Sequence, residues 1–155
     1  MKERVYSVLV VSAAEKFNAA LAAFLPESTY SPVLTLASVS AAKRALTERA
    51  FDFVVINSPL PDDPGIHFAM DAGLTPGTVV LLLVRSEGYE ETCDKVMEYG
   101  VFTLSKPTTR PAVIQALRWM AAVRERLRKL EKKSLTIEEK MEENRLDNRA
   151  KWILI

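Results

Sequence analysis

The 155-residue sequence has a single cysteine, Cys93, and a single histidine, His67. One thiol permits no internal disulfide and fits a reducing compartment. A zinc site of His and Cys ligands is excluded by number, and a Cys/His catalytic pair would have to be these two residues. His67 reads instead as a surface or boundary position. A long hydrophobic run is also missing. The start, MKERVYSVLVV, is too short an apolar stretch before Ser12 for a signal peptide or a span, so no membrane partner is expected and the cytoplasm is the default location. The five glycines, at 65, 73, 77, 88 and 100, never recur at the spacing of a phosphate loop, a dinucleotide fingerprint or a nucleophile elbow. Nor does either charge dominate. Against 20 Asp and Glu stand 21 Lys and Arg, which argues against a disordered tail or a uniformly basic nucleic-acid binder and leaves room for a local basic patch.

What is present is unevenly placed. Residues 1–123 hold 11 Lys and Arg against 13 Asp and Glu, net −2, whereas residues 124–155 hold 10 against 7, net +3. All 8 prolines and 5 glycines precede residue 112. The chain thus divides near Pro111 into a turn-rich globular part and an unbroken polar helix former. No Ser/Gly linker separates them, so the junction reads as a helix running out of the domain.

In the first part, apolar runs alternate with helical patterns. The runs are Val8–Val11, Val33–Leu36, Phe53–Ile56, Val79–Val84 and Val101–Leu104. They are rich in β-branched residues and lack polar alternation, the pattern of parallel strands buried on both faces. Helical stretches follow them over Ala14–Phe24, Ser40–Arg49, His67–Ala72, Tyr89–Tyr99 and from Pro111 onward, with starts near Ser38 and Thr109. The fold class predicted is α/β, a doubly wound five-stranded parallel sheet with helices on both faces and a long C-terminal helix. Function in such a sheet sits at the carboxyl ends of the strands.

The segments Val8-Leu9-Val10-Val11-Ser12-Ala13, Asp52 to Pro61 and Leu104-Ser105-Lys106-Pro107 resemble the receiver domain of two-component response regulators, over residues 1–123. The resemblance implies strand order 2-1-3-4-5, an acidic pair after strand 1, a phosphoacceptor Asp ending strand 3, a hydroxyl ending strand 4 and a Lys-Pro, typically cis, ending strand 5. Of these only Lys106-Pro107 survives. The acidic pair falls on Ser12 and Ala13, the acceptor on Asn57, and the hydroxyl on Val84 or Arg85. Aspartyl phosphorylation needs a carboxylate nucleophile and Mg²⁺ held by hard oxygen ligands, and Mg²⁺ dehydrates reluctantly without them. A neutral amide at Asn57 and no carboxylate at Ser12 or Ala13 therefore predict a pseudo-receiver: no phosphorylation, no metal or other cofactor, and no catalytic residue. Asp62 and Asp63, between Pro61 and Pro64, read as a solvated turn. Asp52, at the far end of strand 3, reads as structural. Lys106 is expected to donate to the Asn57 side-chain carbonyl or a neighbouring backbone oxygen.

From Pro111 the residues Val113, Ala116, Met120, Val123, Leu127, Leu130, Ser134, Ile137, Met141, Asn144 and Asn148 recur in alternating steps of 3 and 4. This is an a/d heptad seam and predicts a parallel homodimer through the C-terminal helix, with a stalk over 124–141. A Met120→Glu, Leu127→Glu double change is expected to dissociate that dimer and leave the sheet folded. Thr136-x-x-Glu139 is a capping-box pattern that competes with a continuous helix, but no Gly or Pro interrupts the chain there and continuity is favoured. Residues 142–155, ending Arg149-Ala150-Lys151-Trp152-Ile153-Leu154-Ile155, resemble the start of the ANTAR RNA-binding antitermination domain. Trp152 stands where a small residue is often found. That resemblance implies an RNA hairpin as partner of a longer chain. Arg145, Arg149 and Lys151 are the candidate RNA contacts, and the apolar end is a stranded first helix.

Together these readings describe a non-enzymatic, response-regulator-like, dimeric antitermination regulator, its input an unidentified upstream protein or ligand. The alternative is a dimeric pseudo-receiver serving as a protein-interaction module without RNA binding.

Overall fold

Short β-branched runs separated by helix formers give a three-layer α/β arrangement. The computed structural model describes residues 4–153, and side chains as far as Glu142. Strands β1 (Tyr6–Val11), β2 (Tyr30–Leu36), β3 (Phe53–Asn57), β4 (Val79–Arg85) and β5 (Phe102–Lys106) alternate with helices α1 (Glu15–Ala22), α2 (Val39–Glu48), α3 (Ile66–Gly73), α4 (Tyr89–Met97) and α5 (Arg110–Ile153). All four pairings are parallel, and the order is β2-β1-β3-β4-β5, as the resemblance implies. Among the described residues no helix is long and apolar enough to cross a membrane.

Period-two alternation sorts each central strand onto two cores. Leu9, Val11, Val54, Ile56, Val80 and Leu82 face α2, α3 and α4, where they meet Ala42, Phe68, Ala69 and Val96. Val8, Val10, Phe53, Val55, Leu81 and Leu83 face α1 and α5. The expectation of strands buried on both faces holds for β1, β3 and β4 and fails for the two edge strands, β2 and β5, the latter only half-buried along its length. Val33 and Leu34 are each 39% exposed, because β2 is an edge strand whose outer side has no neighbour.

Helix starts follow local chemistry. Ser38 Oγ accepts the Ala41 N–H at 3.1 Å at the head of α2. Thr109 Oγ1 accepts the Ala112 N–H at 3.3 Å at the head of α5, so Arg110 and not Pro111 is the first helical residue. Further on, α5 is unbroken through the capping-box pattern. Thr136 Oγ1 donates to the Lys132 carbonyl one turn back, at 3.0 Å, and so does not cap a new helix.

The same helix corrects the dimer seam. Val113, Ala116, Leu117 and Met120 are buried in the α1/α5-side core of their own domain, and Val123 and Leu127 pack partly against it. A stripe at steps of 3 and 4 suits a helix on a sheet as well as a coiled coil, so periodicity alone does not separate the two uses. The first half of the predicted seam is therefore intramolecular. Leu130, Ile137 and Met141 remain exposed.

Contacts between α5 and the sheet also continue past residue 123, where the globular part was expected to end. Arg124 Nε donates to Asp52 Oδ1 at 2.9 Å and Arg128 Nη2 lies 3.7 Å from the same oxygen. The other Asp52 oxygen accepts the Ser7 N–H at 2.9 Å. Glu125 takes the Tyr6 hydroxyl at 2.8 Å and the Arg4 guanidinium at 3.1 Å. Glu131 reaches over the turn before β4: a Cβ on Gly77, whose φ is +80°, would lie 2.8 Å from its Oε1. Burial, and next the hydrogen bond to Glu125, push the Tyr6 phenol up to about 12. This clamp fastens α5 to the amino-terminal edge of the sheet, opposite the strand ends discussed next.

Candidate functional site

At the carboxyl ends of the strands the sheet presents Ser12 after β1, Asn57 at the end of β3, Val84 and Arg85 at the end of β4, and Lys106 at the end of β5. Register fixes their proximity, since Asn57 stands beside Leu83, Val84 beside Ser105 and Arg85 beside Lys106. Lys106 Nζ donates to Asn57 Oδ1 at 2.7 Å and to the Ser58 carbonyl at 2.5 Å. The amide nitrogen of Asn57 donates to Ser12 Oγ at 3.2 Å, and Ser12 Oγ also accepts the Ala14 N–H at 3.3 Å. Asn18 on α1 donates to the Ser12 carbonyl at 3.1 Å. Ser12 and Asn57 are buried, whereas Ala13 is exposed and contributes no polar group. The expected donation from Lys106 to the Asn57 carbonyl is thus present. Lys106–Pro107 is cis, as are Ser31–Pro32 and Ser58–Pro59.

The charge here is positive. Burial, and then the nearby Arg85, lower the Lys106 ammonium below the ordinary lysine range. Both acceptors of Lys106 are neutral oxygens. A cleft of about 570 Å³ opens alongside, lined by Ser58, Pro59, Val84, Arg85, Glu87 and Gly88. Val84 is buried and supplies only methyl groups to it.

The acids nearest in sequence to Asn57 are committed elsewhere. Asp62 accepts the Val39 and Ser40 N–H groups, both at 3.0 Å, so it caps α2 and is more than a solvated turn residue. The bonds from Ser40 and then Val39 hold its carboxyl below the usual range. Asp63 Oδ1 accepts the Gly65 N–H at 2.7 Å and closes the turn into α3. Asp52 sits at the far end of β3 in the α5 clamp. Cys93 lies on α4 with its sulfur 3.3 Å from Thr103 Oγ1, and His67 is exposed on α3.

Receiver sites carry Mg²⁺, and this donor set does not suit it. Ser12 Oγ, Asn57 Oδ1 and backbone carbonyls are neutral, the first two already accept hydrogen bonds, and an ammonium stands 2.7 Å from the amide oxygen. Among the described residues no cluster of three or more His, Cys, Asp or Glu is placed to hold a metal ion. Arg145, Arg149 and Lys151 lie outside the residues whose side chains are described.

Sequence reasoning placed Ser12, Asn57, Val84 and Lys106 together. It missed the capping role of Asp62, the Asn18 contact, and the clamp that α5 makes on Asp52 and Tyr6. Arg124 and Arg128, one turn apart on a helix that must cross Asp52, were the available signal for the clamp.

The sheet order, the helices on both faces and the strand-end Lys-Pro define a receiver (CheY-like) fold. No protein-family model and no curated protein matches the sequence. Solved structures do. The signal receiver domain of an HD domain-containing protein from Pseudomonas fluorescens Pf-5 is 22% identical with a TM-score of 0.71, over 83% of this chain and 95% of that one. A CheY-like receiver domain protein from Methanospirillum hungatei JF-1 is 17% identical with a TM-score of 0.67, over 79% and 98%. The beryllofluoride-activated NtrC4 receiver domain dimer is 26% identical with a TM-score of 0.64, over 78% and 98%.

Proposed function

We propose that this chain is a response-regulator-like signalling protein whose receiver works without aspartyl phosphorylation. It pairs with a second copy through the outer part of α5 and, in full-length form, opposes transcription termination by binding an RNA hairpin. It is not an enzyme, and its input is an upstream protein or ligand that acts on the receiver surface.

The observation that carries the reading is the Asn57 amide, held between Ser12 and Lys106. An amide is a poor nucleophile, and a site of neutral oxygens beside an ammonium gives a divalent ion no compensation for its lost water. Incubating the protein with a small-molecule phosphodonor and Mg²⁺ and weighing it intact should show no phosphoryl gain. Asn57→Asp alone should gain none either, because the positions of the acidic pair hold Ser12 and Ala13. A stoichiometric gain on the native chain would refute the reading.

Support for the RNA output is the order of parts: a receiver fold, a long helix, then the Arg149-Ala150-Lys151 segment that resembles the ANTAR start. In the full-length protein, Arg149→Ala with Lys151→Ala should weaken hairpin binding in a gel-shift titration by roughly tenfold and flatten its salt dependence. Unchanged affinity and salt slope would remove this segment from the RNA interface. Support for pairing is the exposed apolar stripe of α5, and one similar structure, the NtrC4 receiver domain, is a dimer.

A further inference from the structure

The outward side of α5 carries charge of one sign. At about 100° per residue, Arg118, Arg126, Lys129, Lys133 and Lys140 fall within an arc of about 80°, on the side turned away from the buried Val113 and Met120. All five are exposed, and from Arg118 to Lys140 they extend over about 33 Å of helix at ~1.5 Å per residue. Their arc holds no acid. From Gln115 to Lys140 its other members are Gln115, Ala122 and Thr136, whereas Glu125, Glu131, Glu138, Glu139 and Glu142 all lie elsewhere around the helix. Trp119, at the edge of the arc beside Arg118, is 56% exposed.

Ion pairs of the helix serve only its inward bases. Arg124 and Arg128 are paired with Asp52, Glu125 and Glu131, whereas none of the five outward cations forms an ion pair among the described residues. Unpaired cations in a row repel one another and attract a polyanion. A protein partner does not suit this face, because the centre of a protein interface is depleted in charge and these five positions enclose no apolar centre. A lipid surface does not suit its first half. There the apolar side of α5, which would have to enter the bilayer, is packed in the receiver's own core. A linear array of bases with an exposed aromatic ring at one end suits the phosphate backbone and an unpaired base of a nucleic acid.

We infer that the outward face of α5 is a phosphate-binding track for RNA, along which Arg118, Arg126, Lys129, Lys133 and Lys140 contact the backbone while the Trp119 ring stacks on an unpaired base. That the polyanion is RNA rests on the proposed function. The track itself is a separate surface, beginning on the part of α5 packed against the receiver and ending before the Arg149-Ala150-Lys151 segment. Phosphate contacts position a nucleic acid without reading its sequence, so the track strengthens the hold on any RNA and leaves the choice of hairpin to other residues. Bound RNA is thereby drawn alongside the receiver.

The test uses the full-length protein and a fluorescein-labelled RNA hairpin of arbitrary sequence with a short single-stranded tail, read by anisotropy from about 50 to 200 mM salt. The triple variant Arg126→Gln, Lys129→Gln, Lys133→Gln should bind roughly thirtyfold more weakly at the lowest salt, with a log–log salt slope shallower by about 2–3. Trp119→Ala should weaken binding roughly tenfold and leave the slope unchanged, since stacking releases no counterions. Lys16→Gln, Lys43→Gln, Lys95→Gln removes the same charge from exposed positions outside α5 and should leave affinity and slope nearly as they are. All these side chains are exposed, so thermal melts should stay native. Equal weakening by the two triple variants would mean that net charge alone acts, and the track would be refuted. Native affinity and slope in the α5 triple variant, with loss on Arg149→Ala, Lys151→Ala, keeps the RNA reading and overturns the track. A full-length protein that binds no RNA overturns both, and its capture by phosphatidylglycerol vesicles would then assign the face to a lipid surface.

Discussion

Met120→Glu should unfold the domain. Met120 is fully buried in the core formed with Phe53, Val8, Val10 and Leu21. Removing a buried methionine side chain costs about 2–5 kcal/mol before any charge is considered. A carboxylate forced into the same apolar site must be desolvated or protonated, which adds several kcal/mol more. A domain of this size is stable by about 5–15 kcal/mol, so the variant should show no cooperative thermal transition near that of the native chain. Circular dichroism melts would check this, with Ile137→Glu as the comparison. Ile137 is half exposed on the projecting helix, and its replacement should leave the receiver transition essentially in place. The Met120→Glu, Leu127→Glu change therefore does not separate protomers with the sheet intact, as the heptad pattern taken alone suggests. A native-like melt for Met120→Glu would return this residue to the intermolecular seam.

Asp52→Asn is the second large effect. Asp52 is mostly buried beneath Arg124 and Arg128 and accepts the Ser7 N–H. Burial by itself raises its carboxyl. The Arg124 hydrogen bond, the Ser7 N–H and the two guanidinium charges outweigh that and hold it below the usual aspartate range. The substitution leaves two partly buried guanidinium groups short of their counter-charge, a loss of about 2–4 kcal/mol. A carboxyl lowered on folding stabilises fully above its unfolded value of about 3.9, and that contribution is lost as pH falls through the lower folded value. The native chain should therefore lose stability from about pH 4 downward, and Asp52→Asn should lose less over the same range. Chemical denaturation at a series of pH values would measure both. Equal acid slopes in the two proteins would mean that Asp52 contributes no such stabilisation.

How far these properties can be read without coordinates varies with the physics behind each. The central strands were legible because a run such as Phe53-Val54-Val55-Ile56 suits burial on both faces and little else. The strand-end site was legible because strand ends in a doubly wound sheet converge, so Ser12, Asn57 and Lys106 had to be neighbours. The exposure of β2 was not, since Val33-Leu34-Thr35-Leu36 reads like an interior strand and only the sheet order puts it at an edge. Asp62 was misjudged because a cap for α2 drawn from the loop after β3 is a contact across 22–23 residues. Most of all, one heptad stripe serves two partners along α5. Nothing in the spacing of Val113, Met120, Leu130 and Ile137 marks where the sheet stops being the partner.

The clamp at Asp52 also acts as a fulcrum. From Lys132 to Ile153 the helix extends about 33 Å at ~1.5 Å per residue. A tilt of about 10° at the receiver would carry its far end roughly 6 Å sideways over that length. A ligand or protein that shifts α5 against the sheet would thus be felt at the opposite end of a rigid rod, with no bond made or broken at Asn57.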